Sequence, residues 1–180
     1  MGKMLILTAP NKILTTKAKS VAKIDNSVKK LVKDMAICLQ TQEDPQGIGL
    51  AAPQIGKNLC LFIIKPLPKS EEKIFINPKI IKYFDKKTPK KAGKEKRKLE
   101  GCLSIPRIWA PIKRRFGIEI EYMNLEGKKL VQKFQGYEAI IIQHEIDHLN
   151  GIMFTQRALE QKAQVFEEKG NKLIKIDTNY

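Results

Sequence analysis

The stretch Tyr-Glu-Ala-Ile-Ile-Ile-Gln-His-Glu-Ile-Asp-His-Leu-Asn, residues 137–150, decides the fold. Ala139, Ile140, Ile141, Ile142, Ile146 and Leu149 wrap most of a helical circumference, and Gly151 is a plausible helix stop. A helix apolar on nearly all sides has to be buried, so other elements must cover it. Yet one turn also carries His144, Glu145, Asp147 and His148. Burying four polar side chains together is costly without a purpose. Residues four apart share a helix face, with Cβ atoms about 5–6 Å apart, so the two imidazoles can converge on one metal ion. Glu145, next to the first of them, can reach a water on that ion and act as general base. The competing reading is a hydrogen-bonded polar patch; the His-Glu-x-x-His pattern favours the metal.

Working outward, Asp25, Asn26 and Ser27 offer helix caps, and Val28, Leu31, Val32, Met35 and Leu39 recur at helical spacing, predicting an amphipathic helix over 27–40. A turn follows at 44–47. Residues 59–65 read as a strand, and 73–84 as one or two strands interrupted at Asn77-Pro78. Ile118, Ile120 and Tyr122 alternate with Glu119 and Glu121 as in a half-buried strand, and the turn at Glu126-Gly127 leads into a second strand over 129–135. Residues 157–169, ahead of Gly170, look like a final, more exposed helix. Strands cluster before and between helices without regular alternation, which predicts an α+β fold, its strands antiparallel.

Composition narrows the class. The 180 residues suit one domain, and 42% apolar with 29% charged residues is ordinary for a soluble globular chain. No apolar run approaches the ~18 residues of a membrane helix, and the N-terminus lacks a signal-peptide core, so a cytoplasmic protein is the expectation. The net charge is +15. It favours polyanionic surroundings, although a solvated lysine-rich face explains it equally well. Residues 85–98 hold eight Lys or Arg and two acids and read as an exposed, mobile loop. Three cysteines without a secretory signal argue against a disulfide framework; Cys38 and Cys60 lie in apolar stretches and read as core.

A catalytic metal normally has three protein ligands, and the chain has only two histidines. A cysteine or a carboxylate must serve as the third. Cys102, within Glu100-Gly101-Cys102-Leu103-Ser104, is a good candidate beside the two histidines. A third segment, Gly47-Ile48-Gly49-Leu50-Ala51-Ala52-Pro53-Gln54, has glycines suited to close backbone approach and an amide that can donate to an oxyanion; alone it reads as a structural turn.

These three segments, GIGLAAPQ (47–54), EGCLS (100–104) and QHEIDH (143–148), together closely resemble the peptide deformylase family, whose three motifs stand here intact and in the family's order. The similarity runs from roughly residue 5 to 157. The resemblance implies antiparallel strands around a central buried helix that bears HExxH. It implies removal of the formyl group from the N-terminal methionine of new polypeptides, releasing formate. It also implies a metal held by Cys102, His144 and His148 with water in the fourth position: natively iron (Fe2+), with zinc, nickel or cobalt as substitutes. Glu145 would take the water's proton and pass it to the departing amine. Gln54 and the Leu103 N–H would stabilise the oxyanion. Ile48 and Gly49 would pair with the substrate main chain. Ile48, Tyr137, Ile140 and Ile141 are candidates by position for the methionine pocket.

The catalytic domain is expected over 1–157, with 158–180 as its C-terminal helix and tail. The expected partners are formyl-methionyl nascent peptides and the ribosome, reached through the basic surface, with a monomer favoured and no membrane. A bacterial-type cytoplasm is expected, although an organelle making formylated proteins would serve as well. Two features depart from the family pattern: the basic loop, and Trp109 where the substrate groove is expected. Two other readings compete. One is a metallopeptidase whose third ligand is Glu168; the other is a non-enzymatic basic protein bound to RNA or the ribosome.

Overall fold

The computed structural model describes residues 4–44, 46–85, 99–170 and 172–177. The lysine-dense stretch 86–98 therefore lies outside the described residues. Helix α1 (Asn26–Gln40) is followed by strands β1 (Gly49–Ala51), β2 (Leu61–Ile64), β3 (Lys73–Phe84), β4 (Glu100–Cys102), β5 (Ile105–Ala110), β6 (Gly117–Met123) and β7 (Lys129–Gln135). Helices α2 (Gly136–Leu149) and α3 (Phe154–Glu160) and strands β8 (Val165–Lys169) and β9 (Lys172–Ile176) complete the chain. The strands form two antiparallel sheets, ordered β1-β2-β3-β6-β7 and β4-β5-β8-β9.

The larger sheet is covered on both faces. Asp25 caps α1, its carboxylate accepting from the Ser27 and Val28 N–H groups at 2.9 and 3.1 Å. The buried stripe of α1 packs on Leu61, Ile63 and Ile76. The alternate residues Phe62, Ile64 and Phe75 face the other way, onto Ala139, Ile141, Ile142 and Leu149 of α2. This two-sided burial explains why β2 reads Leu-Phe-Ile-Ile, with every side chain buried. Where one face is more open the period of two returns: Ile118, Ile120 and Tyr122 of β6 are buried, while Glu119 and Glu121 are not.

The expected interruption at Asn77-Pro78 is a bulge inside one strand, with the β3–β6 register shifting between Ile76 and Lys79. Asn77 takes a left-handed φ of 50°. Its amide clamps Val21, accepting from the N–H at 2.8 Å and donating to the carbonyl at 2.9 Å.

The C-terminus corrects the expected helix over 157–169. Helix α3 ends at Glu160, Lys162 takes a left-handed φ of 49°, and the rest is the hairpin β8–β9. Tertiary pairing decides this. Strand β8 bonds to the otherwise open edge of β5, and Val165 enters a core of Cys102, Ala110, Ile112, Phe154 and Ala158. The tail is thus the outer part of the sheet that carries Cys102. Cys38 is buried and Cys60 half-buried, and among the described residues no two cysteines form a disulfide.

Phe75 is the hub of the aromatic core, with ring centroids 4.7 Å from Phe62, 4.6 Å from Tyr122 and 5.6 Å from Phe134. Phe75→Ala should therefore lower the unfolding free energy by about 3–5 kcal/mol in urea titrations. A loss below about 1 kcal/mol would show that this core does not hold the sheet to α2.

Candidate metal centre

Two elements bring the site together. Helix α2 packs on β1, β2, β6 and β7 and presents His144 and His148 one turn apart, with ring centroids 5.0 Å apart. Strand β4 delivers Cys102 from the other sheet. Its sulfur lies 3.2 Å from His148 Nε2, and one donor atom each from Cys102, His144 and His148 lies within 4.8 Å of the others. Cys102 and His148 are buried, and His144 nearly so.

Burial alone would raise the Cys102 thiol, but His148 and His144 outweigh it and hold the group well below its ordinary value, as a thiolate. Burial likewise opposes a charge on His144, yet hydrogen bonds to Cys102 and Glu100 raise it well above the usual imidazole value. The sulfur is thus a buried anion that requires a cation beside it. The proton favoured on His144 provides one, and a divalent metal on the same three atoms would provide another. The donor set of one thiolate and two imidazoles suits Fe2+, Zn2+ and similar borderline ions.

Around the cluster sit groups that fix it. Glu100 Oε2 accepts from His144 Nδ1 at 3.1 Å, which leaves Nε2 as the atom that could bind a metal. Arg114 holds Glu100 through two bonds of 2.8 and 3.0 Å and reaches Asp147 at 2.6 Å. Arg157 takes both oxygens of Asp147 at 3.1 and 2.7 Å. Burial tends to raise Glu100, but His144 and Arg114 more than offset it and lower the carboxyl below its ordinary value. Sequence reasoning missed this network. The available signal was Asp147, an acid on the buried turn that needed a cation.

Glu145 is buried, and its Oε2 has no hydrogen-bond partner among the described residues. Burial pushes its carboxyl up to about 7, opposed by the two histidines. Gly49 makes room for it, because a Cβ there would lie 2.3 Å from Glu145 Oε1. Gln54, in the 3₁₀ turn Ala52–Ile55, is oriented by its own backbone. Its Oε1 accepts from the Ala51 N–H at 2.8 Å, so its NH₂ points to Cys102 Sγ at 3.7 Å and Ser104 Oγ at 3.2 Å. Leu103 directly follows Cys102, and its side chain packs on the α1 core.

The two strands that carry the motifs are both sheet edges. β1 pairs with β2 alone and β4 with β5 alone among the described residues. The Ile48 carbonyl accepts from Lys65 at 2.8 Å. A trans peptide points its N–H opposite its C=O, so the Gly49 N–H faces the open edge. Ile48 is half-buried against the α2-side core, and Ile141 is a buried member of that core. Ile140 is half-buried, whereas Tyr137 is 43% exposed at the start of α2. Glu168 stands outside the cluster, on β8, where it accepts from Trp109 Nε1 at 2.9 Å.

The family profile described as Polypeptide deformylase matches residues 3–164. The chain belongs to the polypeptide deformylase family. A peptide deformylase from Desulfosudis oleivorans is 37% identical over 173 residues, covering 94% of each chain. One from Picosynechococcus sp. is 41% identical over 150 residues, 82% of this chain and 74% of that one. The crystal structure of peptide deformylase from Thermotoga maritima has a TM-score of 0.75 at 32% identity, over 87% of this chain and 98% of that one. A Synechococcus elongatus peptide deformylase, in complex with actinonin, gives 0.73 at 34% identity over 86% and 78%. This deformylase is a metal-dependent hydrolase that removes the formyl group from the N-terminus of newly made polypeptides. Among the described residues no helix is long and apolar enough to cross a membrane.

Gly49→Ala should fold yet displace the Glu145 carboxylate, cutting deformylation of a formyl-Met peptide on the order of 10²-fold. Wild-type turnover with an intact unfolding midpoint would show that the carboxylate position is not critical.

Proposed function

We propose that Cys102, His144 and His148 hold the catalytic metal, that Glu145 is the general base, and that Gln54 and the Leu103 N–H bind the oxyanion. The observation that carries this reading is the convergence of three donor atoms within 4.8 Å beside a buried carboxylate with an unpartnered oxygen. A divalent ion held there would make a water acidic enough to attack at neutral pH. Iron (Fe2+) is the proposed native ion, with zinc, nickel or cobalt able to replace it.

Glu145 takes the proton from the attacking water as oxygen adds to the formyl carbon. The carbonyl oxygen gains the electron pair and receives hydrogen bonds from the Gln54 amide and the Leu103 N–H. The C–N bond then breaks, Glu145 returns the proton to the nitrogen, and formate and a free amine remain. The peptide adds as a strand between β1 and β4, taking main-chain bonds at Ile48 and Gly49, the Gly49 N–H being turned to the edge. Ile48, Ile140, Ile141 and Tyr137 share the methionine contact, the last three preceding His144 on α2 at helical spacing.

The C-terminal hairpin extends the sheet that carries Cys102, which supports one catalytic domain across the chain. The net charge of +15 supports working as a monomer against the ribosome, in a bacterial-type cytoplasm, where its substrate emerges.

Glu145→Gln should keep its metal and lose about 10²–10⁴-fold in formyl-Met peptide hydrolysis, because the amide cannot accept a proton. Near-normal turnover at full metal content would remove Glu145 from this role. Cys102→Ser should lose metal in elemental analysis, while Glu168→Gln should retain it. The reverse pattern would promote the metallopeptidase reading.

A further inference from the structure

Trp109 stands beside the site on a strand that contributes nothing to the metal cluster. It lies on β5, and the six-membered part of its indole rests against the α-carbon of Gly101, the residue before Cys102. A methyl group on Gly101 would meet ring atoms Cζ3, Cε3 and Cη2 at 2.7, 2.9 and 3.1 Å. The ring is held from its other end. Its N–H donates to Glu168 Oε2 at 2.9 Å, and Glu168 belongs to β8, which pairs with β5 with Phe166 opposite Trp109. Part of the ring remains open to solvent, since Trp109 is only half-buried.

We propose that Trp109 is a specificity-determining wall for the peptide residues after the methionine, and that Glu168, on the C-terminal hairpin, is a positioning residue that holds the wall in place. The inference rests on the assignment of the peptide to the edge of β4. A strand advances about 3.3 Å per residue, and Gly101 is one residue from the sulfur ligand, so a ring over Gly101 meets the second and third residues of the peptide. An aromatic face fixed at both ends loses little entropy on binding and favours apolar or aromatic side chains there.

Trp109 is the only tryptophan of the chain, so its emission reports both the tether and the peptide. The test compares metal-loaded enzyme on formyl-Met amide, which ends at the first residue, with a formyl-Met tripeptide whose next residues are apolar. Trp109→Ala should lower the ratio of kcat/KM for the tripeptide over the amide about 3- to 10-fold, chiefly through KM. Glu168→Ala should shift the Trp109 emission and lower the same ratio by less. Glu168→Gln, whose amide oxygen still accepts the indole N–H, should restore both. The deformylated tripeptide should shift the emission of the unsubstituted enzyme. An unchanged ratio in Trp109→Ala, or emission indifferent to Glu168→Ala, would overturn the proposal while leaving the deformylase site standing. An unsubstituted chain that hydrolyses neither substrate would overturn the site assignment and the wall with it.

Discussion

The Arg114 side chain is 6% exposed, and its guanidinium ties strand β4 to helix α2 through Glu100 and Asp147. Taking such ions out of water costs several kcal/mol each, which only close, multiply bonded geometry offsets. Here the fork meets both Glu100 oxygens, and Arg157 completes the partners of Asp147. The consequence reaches the chemistry. A Glu100 locked by Arg114 fixes the tautomer and ring plane of His144, and an anchored Asp147 fixes the rotation of the turn that bears His148. The two histidines of the helix and the cysteine of the other sheet, the ligands proposed here, stay in register because one buried cation spans the two elements.

Sheet edges supply the second half of the arrangement. An unpaired edge is a hazard that proteins usually cover. Here, among the described residues, β1 and β4 leave their outer edges unpaired beside the cluster, and the Gly49 N–H is turned toward one of them. The buried thiolate, the carboxylate without a partner and the open edges are each unfavourable alone. In the proposed mechanism each would find its counterpart, in a metal ion, a water proton and an extended peptide.

Much of this was legible in the residues. The all-round apolar pattern of α2 required burial, the stripe of α1 gave its face, and the alternation in β6 with the turn at Glu126-Gly127 gave a hairpin whose register runs from Gly117↔Gln135 to Met123↔Lys129. The three converging side chains were legible because the His-Glu-x-x-His spacing marked two of them and the resemblance of residues 100–104 to a family motif marked Cys102. What was not legible depended on distant partners. The run Val165–Lys169 is rich in charged residues that suit a helix, and only the free edge of β5 makes it a strand. Arg114 is one of 34 basic residues, and nothing local separates it from the solvated ones. Trp109 stood out as unusual, but its tether to Glu168 spans 59 residues.

The central claim is that one thiolate and two imidazoles, brought together across two sheets, hold the metal. X-ray absorption at the metal edge of the zinc-loaded enzyme tests it directly. The account predicts one sulfur neighbour at about 2.3 Å and two nitrogens at about 2.0–2.1 Å. A spectrum with no sulfur shell, or with two, would contradict it.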